Sequence, residues 1–236
     1  MERTIIVGDV HGCYKELTYL LKTIAYKPSD RLIFVGDLIA RGPDSLGVLK
    51  LVREIGALVV RGNHEEKLLL WRTSQEDSND YNSKSVELLP MHLAIAQALT
   101  EEDWMWMHSF PLWYALPEHE LLVVHAGLVP GITLACQDRK VLLSIRGLTE
   151  EKKPCYNKNH SQWWGRAYKG PPHIVFGHNA FFEPQFHPWA TGIDTACVYG
   201  GMLTAMVLQK EQVIPRGQAV KKLLISQSSM GVYYPY

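Results

Sequence analysis

Five short strings in this chain set metal-binding residue types beside glycines. They are Gly8-Asp9-Val10-His11-Gly12, Gly36-Asp37 running on to Arg41-Gly42, Gly62-Asn63-His64-Glu65, His125-Ala126-Gly127 and Gly177-His178. Each follows an apolar, β-branched run. Asp9 and Asp37 supply carboxylates, Asn63 an amide oxygen, and His11, His125 and His178 imidazoles, with the imidazole of His64 left over. Mixed oxygen and nitrogen donors of this kind suit two hard or borderline divalent cations. A pair of such ions can activate water for attack on a phosphorus centre.

Taken singly, each residue has an ordinary structural explanation. Gly-Asp after a strand is commonly a turn, and Asp9 could simply start the next helix; Asp37 has the same alternative. The Asp9-x-His11 spacing points elsewhere, because alternate residues of an extended segment face the same way. Asn63-x-x-Glu66 is a helix N-cap pattern, yet capping leaves His64 unexplained. His125 or His178 alone would suit a hydrogen-bonded histidine of the core or rim. Glu65 and Glu66 fit the first turn of a helix, whose dipole favours acidic side chains. The five motifs together have no such common explanation.

The elements that must position these residues alternate in period. Thr4–Val7 reads as a buried strand, and Leu17, Leu20, Leu21 and Ile24 recur at helical spacing, predicting a helix over roughly 13–26. Leu32–Val35 is a second strand, Leu46–Ile55 a second helix, Leu58–Val60 a third strand, and a third helix is expected from Glu65. This βαβαβ order predicts an α/β fold with a parallel sheet and right-handed crossovers. The stretch 74–118 reads as helical, with a polar surface loop over Ser74–Ser85 and a helix start at Thr100-Glu101-Glu102-Asp103. Further strands are expected at Leu121–Val124, His173–Phe176, Gly192–Val198 and Leu203–Leu208, and a loop between Gly147 and Pro172. Every motif sits where a strand stops. In open α/β sheets ligands gather outside those strand ends, so the motifs are expected to converge.

At 236 residues and 47% hydrophobic, the chain is large enough for one core, and no linker composition divides it, so a single domain over 1–236 is expected. Lys+Arg and Asp+Glu balance at 24 each, which gives no electrostatic footprint for bulk nucleic-acid or membrane binding. Cys13, Cys136, Cys155 and Cys197 lack zinc-site spacing and read as free thiols of a reducing compartment. With no signal-peptide pattern and no long apolar run, a soluble cytoplasmic protein is expected.

The joint pattern GDVHG, GDLIARG, GNHE, HAG and GH resembles the phosphoprotein-phosphatase branch of the calcineurin-like metallophosphoesterases over about residues 4–208. Gly36–Pro43 and Ile193–Ala205 further resemble the symmetrical diadenosine tetraphosphate hydrolases and their relatives. The resemblance implies a β-sandwich of two mixed sheets flanked by helices, with a dimetal site at the C-terminal ends of strands. It implies that Asp9, His11 and Asp37 hold one ion and that Asp37, Asn63, His125 and His178 hold the other. Ions about 3.5–4 Å apart would acidify a bridging water, and that hydroxide would attack phosphorus directly. Arg41 is then a clamp whose fork matches two phosphoryl oxygens, with Arg146 a second clamp, Asn63 facing the substrate and His64 a general acid. Plainer alternatives are a surface ion pair for Arg41, an ordinary exposed arginine for Arg146 and a simple substrate contact for His64. Manganese is the expected metal, and iron, zinc, cobalt or magnesium also suit the donors.

One position departs from the protein Ser/Thr phosphatases, which carry Asp where this chain has Ala40. That carboxylate orients the histidine that protonates a leaving alkoxide. A nucleotide leaves as a phosphate anion whose second pKa is about 6, and it needs little acid help. The expected reaction is therefore hydrolysis of dinucleoside polyphosphates, such as diadenosine tetraphosphate, to nucleoside diphosphates. The alternatives are a protein Ser/Thr or Tyr phosphatase, hydrolysis of another pyrophosphate linkage such as an RNA cap, or a metal-holding interaction module. Trp163, Trp164, Tyr168 and Tyr199 could stack on a base or simply pack. Asp194 could orient a histidine ligand or merely end a strand.

Overall fold

Apolar runs broken by Gly-containing turns build the strands, and the computed structural model describes residues 3–76, 86–157 and 162–236. The first sheet holds β1 (Arg3–Val7), β2 (Arg31–Phe34) and β3 (Leu58–Val59), connected by α1 (Tyr14–Thr23) and α2 (Ser45–Glu54). These three strands pair in parallel, as the βαβαβ order predicts. Helix α3 (Asn63–Glu76) follows, starting two residues before the predicted Glu65. The loop expected over 74–85 begins as the end of α3, and residues 77–85 lie outside the described residues.

Next come α4 (Pro90–Ala98) and α5 (Glu101–His108). Thr100 caps α5 in a reciprocal capping box with Asp103, as its sequence suggests. The helical reading of 74–118 fails at its end, where β4 (Trp113–Leu116) pairs antiparallel with β5 (Leu121–Val124). Pairing with β5 overrides the local helical spacing, since strand preference depends on neighbours.

After α6 (Arg139–Ser144), the predicted loop of 147–172 instead contains a small antiparallel sheet. It comprises β6 (Gly147–Leu148), β7 (Pro154–Cys155) and β8 (Gln162–Trp163), ahead of α7 (Trp164–Ala167). The strands β9 (His173–Phe176), β10 (Gln185–Phe186) and β11 (Ala190–Gly192) complete the second sheet, whose order is β10-β11-β9-β5-β4. The strand expected over Gly192–Val198 thus ends at Gly192. Finally β12 (Met202–Gln209) returns antiparallel to β1, flanked by β13 (Leu224–Ser228), giving the order β13-β12-β1-β2-β3.

Strand periodicity sorts the core into layers. Ile6, Ile33 and Met206 of the first sheet pack with Val123 and Val175 of the second. Their neighbours Ile5, Val7 and Phe34 face the opposite way, packing with Leu17, Leu20, Val48 and Val52 of α1 and α2. On the far side Leu122, Ile174 and Phe176 pack with Leu142 and Trp164. The result is two mixed sheets face to face with helices outside, and the motifs fall at the ends of β1, β2, β3, β5 and β9. Cys13, Cys136 and Cys197 form no disulfide among the described residues. Among the described residues no helix is long and apolar enough to cross a membrane.

Candidate metal centre and active site

The motif loops are held in uncommon backbone conformations. His11 (φ 47°), Asp37 (φ 50°), Ala40 (φ 70°), Arg41 (φ 69°) and His178 (φ 65°) all adopt left-handed geometry. That region costs an L-residue on the order of 1–2 kcal/mol, and such positions cluster at functional sites. Two glycines let the loops meet. A side chain at Gly177 would run into Oδ1 of Asp9, and one at Gly62 into the backbone and carboxylate of Asp37.

The resulting donor atoms converge. Oδ2 of Asp37 lies 3.6 Å from Nε2 of His11 and 3.5 Å from Nε2 of His125. Nδ1 of His11 is 2.9 Å from the Ile39 carbonyl, and Nδ1 of His125 is 2.9 Å from the Val35 carbonyl. A carbonyl only accepts, so both rings carry their proton on Nδ1 and turn the Nε2 lone pair inward. Oδ1 of Asn63 stands 2.7 Å from Nδ1 of His178 and 3.0 Å from Nε2 of His125. Its oxygen therefore faces two imidazoles, while Asp37 Oδ1 accepts the backbone N–H of His64 at 2.9 Å, in the first turn of α3. Two triads of donors, His11–Asp37–His64 and Asp37–His125–His178, each gather within 4.8 Å and share Asp37. Asp9 stands slightly apart, with its two oxygens accepting the backbone N–H of His178 at 3.0 and 3.2 Å.

Electrostatics fit the same chemistry. Burial, then repulsion from Asp194 and Asp37, holds the Asp9 carboxyl well above its ordinary range. Burial likewise raises Asp37 to about 6 and Asp194 to about 7. Burial is also the main cause that pushes His11, His64 and His178 well below the usual imidazole range, and His125 down to about 4. Neutral imidazole lone pairs and crowded acids converge on one point among His125, Asn63 and Asp37. A divalent cation satisfies that arrangement.

Both predicted clamps reach this place. Arg41, Arg146, Asp37, Asn63, His178 and Tyr199 line one cavity of about 150 Å³, together with Ala180, Pro235 and Tyr236. Nη1 of Arg146 donates to Oδ1 of Asn179 at 2.7 Å, so Asn179, unmarked in the sequence, sets that arginine. Tyr199 and Tyr236 meet edge to face, with centroids 5.2 Å apart. Trp164 is a core residue at 1% exposure, donating to the Ala126 carbonyl at 3.1 Å, and Tyr168 bonds to the Pro172 carbonyl. Asp194 accepts from the Ala196 backbone N–H at 3.2 Å.

Sequence reasoning understated two glutamates and overlooked a histidine. Glu65 is wholly buried and accepts the backbone N–H groups of Asp37, Leu38 and Gly62 at 2.9, 2.8 and 3.0 Å. It ties the second motif to the third rather than serving the helix dipole alone. Glu66 is gripped by Arg139 through both oxygens, at 2.6 and 2.7 Å, and by Arg61. His92 contacts His64 from α4, and its isolated position in the sequence carries no signal of this.

A family model for calcineurin-like phosphoesterases matches residues 2–212. The chain is 32% identical over 221 residues to the asymmetrical bis(5'-nucleosyl)-tetraphosphatase PrpE of Bacillus thuringiensis (strain Al Hakam), spanning 85% of this chain and 88% of that protein. The protein of the same name from Bacillus cereus (strain AH187) is 30% identical over 229 residues, 89% and 92% of the two chains. A crystal structure of a candidate diadenosine tetraphosphatase superposes with a TM-score of 0.80 at 32% identity, covering 98% of this chain and 95% of that one. A Saccharomyces cerevisiae protein serine/threonine phosphatase shares the fold at a TM-score of 0.58 and 18% identity, covering 99% and 81%. This chain belongs to the calcineurin-like phosphoesterase family and is a phosphoester hydrolase.

Proposed function

We propose that the protein hydrolyses dinucleoside polyphosphates, with Asp9, His11, Asp37, Asn63, His125 and His178 holding two divalent ions, manganese by preference. When bound, the ions supply an activated water and neutralise phosphoryl charge. Asp37, common to both donor triads, is the proposed shared ligand. Arg41 and Arg146 line the cavity beside it and are proposed to bind phosphoryl oxygens, which suit a planar two-pronged donor. His64 is the proposed donor to the leaving oxygen.

The observation that carries the preference for anhydrides is the methyl side chain of Ala40, which brings no carboxylate to orient His64 and hold it protonated for the leaving oxygen. A nucleotide leaving group departs as a stable anion and tolerates that loss; a serine alkoxide does not. Tyr199 and Tyr236 in the same cavity offer aromatic faces of the kind bases stack on. The motif resemblance led us to expect two nucleoside diphosphates. The name shared by the curated relatives supports unequal cleavage instead, to a triphosphate and a monophosphate.

A substrate panel with the manganese-loaded protein tests this. Diadenosine tetraphosphate should give the highest kcat/KM against phosphomonoesters, a capped RNA and phosphopeptides, and chromatography of its products identifies the bond cut. Faster turnover of a phosphoserine or phosphotyrosine peptide would overturn the reading.

A further inference from the structure

His92 lies on α4, 2% exposed. Its Nε2 stands 2.9 Å from Nδ1 of His64, with the two rings nearly parallel at 14° and centroids 5.0 Å apart. Packing alone does not call for an imidazole there; the same helix meets the core with Ile95 and Ala96. The other ring nitrogen of His92, Nδ1, is buried with no hydrogen-bond partner among the described residues.

That asymmetry assigns the protons. A buried N–H without an acceptor is rarer than a buried lone pair without a donor. The unpartnered Nδ1 of His92 therefore carries the lone pair, and its Nε2–H donates to Nδ1 of His64. A neutral His64 whose Nδ1 accepts must carry its own proton on Nε2. Its ring sits beside the centre: the His11 and His64 rings meet edge to face at 4.9 Å.

We propose that His92 is a positioning residue that fixes the orientation and the Nε2–H tautomer of His64, standing in for the carboxylate absent at position 40. The inference rests on the proposed role of His64 as donor to the leaving oxygen. As the P–O bond breaks, its electron pair passes to that oxygen, and the Nε2–H hydrogen bond receives the developing charge. A neutral imidazole behind His64 offsets less positive charge than a carboxylate would. His64 thus acts as a hydrogen-bond donor rather than a strong acid, which suits leaving groups that are stable anions.

The test compares wild type, His92→Ala, His92→Gln, His64→Asn and the double variant His64→Asn/His92→Ala, all metal-loaded with metal content measured. The substrates are aryl phosphates of rising leaving-group pKa. His92→Ala should lower kcat about tenfold, comparable to losing an outer partner of a site ligand, with KM and metal content unchanged. The loss should grow with leaving-group pKa, and His92→Gln, which keeps an N–H donor, should recover most of it. In the His64→Asn background His92→Ala should change nothing. Nitrogen NMR of the zinc-loaded wild type should find the His64 proton on Nε2; a proton on Nδ1 overturns the assignment even if a variant fails to fold. An equal loss on every substrate, or in the His64→Asn background, makes His92 merely structural and also overturns it. If His64→Asn itself turns over at the wild-type rate, the donor role of His64 fails first and is separately identified.

Discussion

Nη1 of Arg41 lies 2.8 Å from Nε2 of His11, so a guanidinium rests on the ring nitrogen proposed to bind an ion. The same guanidinium lies over Tyr199 at 5.7 Å and Tyr234 at 6.0 Å from the ring centroids. Cation and arginine compete for one lone pair. Ion binding should turn Arg41 away from His11 and free its fork for phosphoryl oxygens.

Removing the competitor should therefore separate metal binding from catalysis. Arg41→Met is expected to bind Mn²⁺ about tenfold more tightly, the worth of one charge-assisted hydrogen bond at the low end. Its kcat/KM should fall by about 100-fold for loss of a phosphoryl contact. Calorimetric titration and steady-state kinetics on one preparation check both; weaker Mn²⁺ binding would refute the competition.

Asp37 and His64 should fail in different ways. Asp37→Asn removes a donor common to both triads and should lose metal and activity together. His64→Asn should keep its metal content and lose about 100-fold in kcat. Elemental analysis beside kinetics distinguishes them, and metal loss from His64→Asn would make that histidine a ligand instead.

Metal affinity should rise with pH in a window set by the acids. Without metal, Asp37 is pushed up to about 6 and Asp9 well above its ordinary range, so at pH 5 an ion must displace their protons. His125, down at about 4, is already neutral there. Affinity should therefore climb between pH 5 and 7, with proton release at the acid end. A flat affinity over that interval would contradict the shifts.

Glu65 should matter for stability out of proportion to its single charge. Glu65→Gln replaces one accepting oxygen with an amide that can only donate, facing the N–H groups of Asp37 and Gly62 or of Leu38. A loss of about 2–4 kcal/mol is expected from the broken buried network. Chemical denaturation of the metal-free protein measures it, and a change under 1 kcal/mol would show that the loops hold without this tie.

The sequence made the strand ends legible because each motif couples a glycine turn to a donor, and β5 and β9 coincide with their predicted runs. Convergence was legible too, since parallel strands deliver their ends to one edge. What stayed hidden depends on partners distant in the chain. Whether 113–116 is helix or strand is decided by pairing with β5, and the short strands of 147–163 have no periodicity of their own. Glu65 looked like any first-turn acid until Asp37, Leu38 and Gly62 were beside it. His92 is a lone histidine on a helix, with nothing local to connect it to His64.

The sheet order has a consequence for the chain as it is made. Asp9 and His11 follow β1 and Asp37 follows β2, whereas His178 follows β9, and β1 gains its antiparallel neighbour only when β12 arrives. At synthesis rates of roughly 5–20 residues per second, Asp37 and His178 emerge on the order of ten seconds apart. For that interval the nascent polypeptide carries only part of the proposed ligand set and no complete reactive centre. Under the proposed function, order of emergence would thus keep an unfinished chain from cleaving the nucleotides around it.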